Sequence, residues 1–217
     1  MEISFGAIYR DSATIRKVSD GKTTNNVNAS VVELDLHNLN DWFVMGEVAN
    51  EFSKNNKKGN YAKNIRKSFY ETIDKGVCPP TLHHYLLTTQ ESDFGSLETG
   101  KVIGAFMIQD KLEESPERVK KNNIKTKYVT KLKFLQGSPK NYFGNPEREY
   151  SGCGEAMSNF VKKNYTKYDI IVNAAEDAMP FYESQGYKKC NEDTSSTMMI
   201  YYAPNLLDNI KRRFRKK

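Results

Sequence analysis

Apolar and polar positions alternate along the chain at two periods, and the switches between them mark its elements. Within residues 1–20, "ISFGAIY" and "ATIRKV" alternate and predict a hairpin or edge strands. "DGKTTNNVN" (20–28) reads as a polar loop and "ASVVELDLH" (29–37) as a strand. Trp42, Met45, Ala49 and Phe52 then recur at helical spacing, with Asn40 or Asp41 as the cap. "FSKNNKKGN" breaks that helix. Tyr61, Ile65, Phe69 and Ile73 predict a second one, stopped by Gly76 and Pro79-Pro80.

"LHHYLLTTQ" (82–90) is a strand, "ESDFGSLETG" a turn-rich link, and "KVIGAFMIQDKL" (101–112) a strand apolar enough to be central. "EESPERVKKNNIKTK" reads as a charged loop. "YVTKLKFLQGSP" (128–139) is a strand of imperfect alternation through Val129, Leu132, Phe134 and Leu135, ended by Pro139. After the irregular "KNYFGNPEREYS", Ala156, Met157, Phe160 and Val161 mark a helix of about three turns. "YDIIVNAA" (168–175) is a buried strand. "EDAMPFYESQG" is a short helix with Asp177 as N-cap, Pro180 in the first turn and Gly186 as the stop. "YKKCNEDTSSTMMIYY" (187–202) gives two strands around an Asn-Glu-Asp turn, and "PNLLDNIKRRFRKK" is an amphipathic tail.

Runs of antiparallel strands with two inserted crossover helices predict a mixed α/β sheet. The unit from 128 to 175 makes its two strands parallel neighbours with a right-handed crossover. One domain over 1–204 is expected, with 1–28 as extra N-terminal strands and 205–217 as a separate tail.

Composition narrows the function. The last seven residues hold six basic side chains: Lys211, Arg212, Arg213, Arg215, Lys216 and Lys217. Removing these six from the 33 basic residues leaves 27, equal to the 27 acidic ones, so the basic character belongs to the tail. Such a tail can touch nucleic acid or an acidic protein, or simply end a solvated helix. No apolar run approaches 18 residues and no signal-peptide pattern opens the chain, so neither a membrane span nor export is expected. Cys78, Cys153 and Cys190 are far apart, show no metal-ligand spacing and cannot all pair. A reducing cytoplasm and a monomer or homodimer follow as expectations.

One stretch carries chemistry. "REYSGCGEAM" (148–157) is a glycine turn opening a helix. The backbone N–H groups of Gly152, Cys153 and Gly154 would meet an anion at the positive helix end. Cys153 in that position is expected to have a lowered thiol pKa.

Three stretches in order, "KVIGAFMI", "KFLQGSP…REYSGCGEAMSNFV" and "IIVNAAEDAMPFYESQGYKK", resemble the GCN5-related N-acetyltransferase (GNAT) superfamily. The resemblance covers about residues 100–202 and the element order extends it to about residue 30. It implies a single twisted mixed sheet of about seven strands flanked by helices, with a splayed parallel pair forming a coenzyme A slot. It further implies acetyl-CoA as co-substrate, no metal, and direct acetyl transfer to an amine. The implied cofactor-binding residues are Leu135 and Gly137 along the strand, Arg148, Tyr150, Ser151, Gly152, Cys153, Gly154 and Glu155 at the pyrophosphate loop, and Asn173 at the next strand end. Tyr182 takes the family's general-acid position.

Two positions depart from the family pattern. Glu149, beside Arg148, stands where Arg or Gln is usual, and Gln136 stands near a position where some members carry a carboxylate base. Asp110, Glu113, His83, His84 or a water chain are the alternatives for that base. Adjacent histidines in a strand face opposite sides, so at most one of the pair serves any one face. The acceptor stays open among a small amine, a peptide N-terminus, a lysine and aminoacyl-tRNA. The rival reading is an inactive GNAT-fold module that binds coenzyme A, or binds nucleic acid or an acidic protein through its tail.

Overall fold

Asp20 and Gly21 both adopt left-handed backbone, with φ of 51° and 72°. This Asp-Gly pair makes the two-residue turn that matches the twist of a tight hairpin. It joins β1 (Ile8–Ser19) to β2 (Lys22–Leu34), paired antiparallel from Ser19↔Lys22 to Ile8↔Glu33. The polar loop expected over 20–28 is therefore strand from Lys22 onward. Its residues are mostly exposed, so no apolar alternation betrays them.

The structure, a computed structural model, describes residues 6–55, 63, 80–190 and 197–204. The helix expected through Tyr61–Ile73, the Asn-Glu-Asp turn and the tail from 205 lie outside the described residues. The remaining elements are α1 (Leu39–Asn55), β3 (Leu82–Thr88), β4 (Val102–Glu113), α2 (Pro116–Lys121), β5 (Tyr128–Gly137), β6 (Tyr150–Ser151), α3 (Cys153–Asn164), β7 (Asp169–Asn173), α4 (Met179–Ser184), β8 (Lys188–Lys189) and β9 (Met198–Tyr201). The strands hydrogen-bond in the order β6-β1-β2-β3-β4-β5-β7-β9-β8, a mixed sheet with a parallel β5–β7 pair. It has nine strands where about seven were expected, because the N-terminal hairpin adds β1 and the two-residue β6 pairs with it.

The chain divides into two compact units, residues 1–109 with 133–160, and residues 110–132 with 161–217. In the first unit, α1 packs Val44, Met45, Val48, Ala49 and Phe52 against one sheet face, with Val32, Leu34, Leu86, Ala105, Met107 and Phe134. The cap of α1 is Asn38, not Asn40 or Asp41. Its Oδ1 accepts from Asn40 N at 2.9 Å, and its carbonyl accepts from Asp41 N at 3.1 Å. Asp41 instead accepts backbone N–H bonds from Gly6 at 2.9 Å and Asp35 at 2.7 Å, tying the start of the chain to the β2–α1 corner.

On the other face, Tyr85 and Phe106 stack at 4.9 Å between ring centroids, and Phe160 of α3 closes on both, at 5.0 Å and 5.6 Å. Gly104 lets α3 come close. A Cβ there would stand 2.7 Å from Met157 Sδ.

In the second unit, β5 runs parallel to β7 from Val129↔Asp169 to Leu132↔Val172, and β7 pairs antiparallel with β9. Val129, Ile171, Cys190, Met198, Ile200 and Ile124 form its core. Buried Asp169 accepts from Lys125 N at 3.1 Å and from Ala203 N at 2.8 Å. The expected charged loop after β4 contains α2. Ser115 caps it by accepting from Arg118 N at 3.3 Å, with Pro116 at the first helical position. Asp177 lies in a 3₁₀ turn, Glu176–Ala178, and the residue capping α4 is Ala178, with no side-chain cap. Pro180 is in the first turn of α4 as expected.

The same substitution is expected to have opposite signs at two glycines. Gly46 lies inside α1 with no described atom within 4 Å of an added Cβ, so Gly46→Ala should stabilise by about 0.5–1 kcal/mol. At Gly104 the added methyl meets fully buried Met157, so Gly104→Ala should destabilise by about 1–3 kcal/mol. Urea unfolding midpoints of the two variants check both.

Candidate active site

The loop entering α3 is built on a left-handed glycine. Gly152 has φ of 82°, and its carbonyl accepts the first helical bond from Ala156 N at 2.9 Å. Gly152 is thus the cap residue, and the first-turn N–H groups that follow have no partner within the helix. These groups carry the positive end of the helix dipole. Beside them, the hydroxyl of Ser151 is buried with no hydrogen-bond partner among the described residues.

The loop is seated by the N-terminal hairpin. Tyr150 and Ser151 pair with Lys17 and Arg16 of β1, and Val18 N donates to Glu149 O at 2.7 Å. Asn141 Oδ1 accepts from Glu149 N at 3.2 Å and Tyr150 N at 2.9 Å. Glu149, the residue in the unusual position, is engaged through its backbone while its side chain is exposed. Arg148 donates from Nε to Tyr150 O at 3.1 Å, and its guanidinium lies 5.7 Å from the Phe143 ring.

Cys153 does not show the lowered thiol pKa expected at a helix N-terminus. It is only 6% exposed, and burial pushes its pKa up to about 11, outweighing its backbone hydrogen bond and the charge of Arg148. Desolvation of the thiolate here exceeds what one helix end returns.

Along β5 the burial alternates regularly, unlike the sequence pattern. Leu132, Phe134 and Gln136 are buried, while Lys133, Leu135 and Gly137 are half-buried. Phe134 belongs to the α1 core, so Leu135 and Gly137 lie on the opposite face. Just beyond, Ser138 N donates to Ile103 O at 2.8 Å. The structure therefore places Leu135, Gly137 and the whole of Arg148–Glu155 in the first unit.

Asn173 and Tyr182 belong to the second unit. Asn173 is the last residue of β7, paired with Met198, and is exposed. Tyr182 is buried on α4, with ring centroids 5.1 Å from Phe181 and 5.3 Å from Tyr187. Burial raises its pKa to about 12, so the phenol keeps its proton at neutral pH.

The base candidates divide clearly. His84 is fully buried beside Phe134, at 5.9 Å, and burial lowers its pKa to about 3, so it is a neutral core side chain. His83, on the other face, bonds through Nδ1 to Glu33 Oε1 at 2.7 Å, and Arg10 holds Glu33 Oε2 at 2.5 Å. Asp110 Oδ1 accepts from Thr130 at 2.6 Å, and exposed Glu113 pairs with Lys127 at 3.3 Å. Among the described residues, no group of three His, Cys, Asp or Glu is placed to hold a metal, and no helix is long and apolar enough to cross a membrane.

Sequence reading missed Arg16. Its guanidinium lies 3.6 Å from the Glu155 carboxylate and 3.6 Å from where a Cβ on Gly152 would stand. The strand "ATIRKV" was legible, but its partner β6 is two residues long and leaves no periodic signal.

No family model matches the chain, and no curated protein matches it. Solved structures do. The chain is similar to the Bacillus subtilis N-acetyltransferase YlbP in complex with coenzyme A, at 15% identity over 72% of this chain and 90% of that one, with a TM-score of 0.44. It is similar to AtaT complexed with acetyl-methionyl-tRNAfMet, at 17% identity over 72% and 88%, with a TM-score of 0.43. It is similar to a Desulfovibrio desulfuricans protein assigned to the GNAT family, at 13% identity over 81% and 99%, with a TM-score of 0.49. What those proteins bind stays theirs. In this chain the strand, loop and helix of β5–α3 lead into β7, which lies parallel to β5.

The loop entering α3 gives a direct chemical expectation. Because its pKa is near 11, Cys153 should resist iodoacetamide in the native protein at pH 7.5 and react readily once unfolded. Peptide mapping of the labelled cysteines checks this; equal labelling in both states would mean an exposed thiolate.

Proposed function

We propose that the protein is an N-acetyltransferase that moves an acetyl group from acetyl-CoA directly to an amine. The observation that carries this is the anion cradle at the α3 entrance. A left-handed glycine presents first-turn amides, and the neighbouring Ser151 hydroxyl is buried without a partner. These residues fit a diphosphate, since the first-turn amides have no partner within the helix and the Ser151 hydroxyl has none among the described residues. Leu135 and Gly137 lie beyond Leu132, the last β5 residue in register with β7, and their backbone groups would serve the pantetheine arm in the manner of strand addition.

Bound acetyl-CoA supplies the acetyl group as a thioester. The amine nitrogen bonds to the acetyl carbon, the C–S bond breaks, and the nitrogen loses a proton. Tyr182 donates from its phenol to the departing sulfur. Its raised pKa supports this role, because the donor is protonated across the neutral range. Primary amines of small molecules, peptides, lysine side chains and aminoacyl-tRNA all present the required nitrogen.

Calorimetry with acetyl-CoA tests the cradle: binding is expected, and a folded protein with no detectable binding would overturn the proposal. Tyr182→Phe should lower turnover about 10²-fold or more while acetyl-CoA affinity holds. Thiol release measured across amine classes reads the rate. Unchanged turnover would remove Tyr182 from the chemistry.

A further inference from the structure

We propose that Arg16 of β1 is the cation that holds the coenzyme A diphosphate, so that the N-terminal hairpin completes the cofactor site. This rests on the coenzyme A reading of the loop. The sequence departs from the family pattern at Glu149, which leaves the loop without a basic side chain at that position. Arg148, beside it, bonds through Nε to Tyr150 O and lays its guanidinium over Phe143, and its charge reaches Cys153 in the loop. Arg16 reaches the loop from another element. The β1–β6 pairing sets Arg16 directly opposite Ser151, and the Val18–Glu149 bond fixes the register of that contact. Ile15 is buried at 1% exposure, so alternation turns Arg16 to the other face, towards Gly152 and Glu155.

Three kinds of donor then lie side by side at the entrance to α3: its first-turn amides, the unpartnered buried hydroxyl of Ser151, and a guanidinium. A guanidinium forks onto two phosphate oxygens, which a single backbone amide cannot do. The Arg16–Glu155 pair, at 3.6 Å and with both side chains about half exposed, is a weak ion pair. Glu155 keeps Arg16 near the helix entrance, and a diphosphate outcompetes its single charge. Glu155 is therefore a competitor for Arg16 as well as a first-turn residue.

Calorimetry of coenzyme A with the full chain tests this, using wild type, Arg16→Gln, Lys17→Gln, Glu155→Gln and the Arg16→Gln/Glu155→Gln pair. Arg16→Gln should weaken binding about tenfold or more. Lys17→Gln removes the same charge from the next residue, which is exposed and pairs with Tyr150 rather than Ser151; its affinity should stay within about twofold of wild type. Glu155→Gln should tighten binding, and the tightening should vanish in the double variant. Failure of Arg16→Gln to fold, read by circular dichroism, leaves the Glu155→Gln arm, in which unchanged or weaker binding overturns the proposal. Equal affinity of folded Arg16→Gln and wild type overturns it and leaves the coenzyme A reading standing. Absence of binding by wild type overturns both.

Discussion

The approach of α3 to the sheet at Gly104 governs the rest of the first unit. A helix normally stands off a sheet by the depth of two side-chain layers. Here one layer is missing, and the Met157 thioether fills the space where a Cβ would be. Phe160, one turn on, settles against Tyr85 and Phe106. Two contacts one turn apart fix both the height and the rotation of α3. They thereby fix where the amides at its N-terminus point. An anion site made of backbone N–H groups has no rotamers to adjust, so its accuracy is that of the helix placement. The α1 core on the opposite face keeps the sheet itself from shifting.

The hairpin adds a second constraint from the other end. Loops that cradle phosphates have glycine-rich, conformationally free backbones, and ordering such a backbone costs about 1–2 kcal/mol per residue. The pairing of Tyr150 and Ser151 with β1 and the two bonds from Asn141 order this segment in advance. The long insertion before the loop, which sequence alone shows only as irregular, thus contributes Asn141 as a side-chain clamp. The same ordering explains Cys153. A thiol held against a packed helix loses solvation on most sides, and burial wins over the dipole of a single helix end.

The sequence made most of the framework legible because the signals were local. The period change at β5, α3 and β7 gave the parallel pair, and Gly152 gave the turn. What stayed hidden was hidden for physical reasons. The first part of β2, Lys22–Asn28, is polar and exposed almost throughout, so Asp20-Gly21 is its one signal, and it reads as part of a loop. Helix α2 is too short for periodicity and rests on its Ser115 cap and Pro116. The cap of α1 fell to Asn38 because the long-range acceptor duty of Asp41, to Gly6 and Asp35, is not written in its neighbours. Arg16 was invisible as a site residue because it comes to the loop across 135 residues of chain, through a two-residue pairing. The alternation of β5 was blurred by Leu135, an apolar residue on the half-buried face, and by Gln136, a polar one on the buried face.

Burial also decides which groups keep a proton. Cys153, His84 and Tyr182 are all driven to their neutral forms, two by raised pKa values and one by a lowered one. Of the three neutral groups, a phenol has the hard O–H donor suited to a departing thiolate. Its strength is mismatched, though: burial holds the phenol above the range of a free thiol, so complete proton transfer runs uphill. In the proposed reaction Tyr182 would therefore act chiefly as a hydrogen-bond donor to charge gathering on sulfur, with solvent completing the protonation of the thiol. A hydrogen bond of this kind is strongest when the charge is fully developed, so it lowers the barrier more than it tightens the ground state. A side chain that is always protonated, fixed between Phe181 and Tyr187, meets that requirement without having to be reset between turnovers.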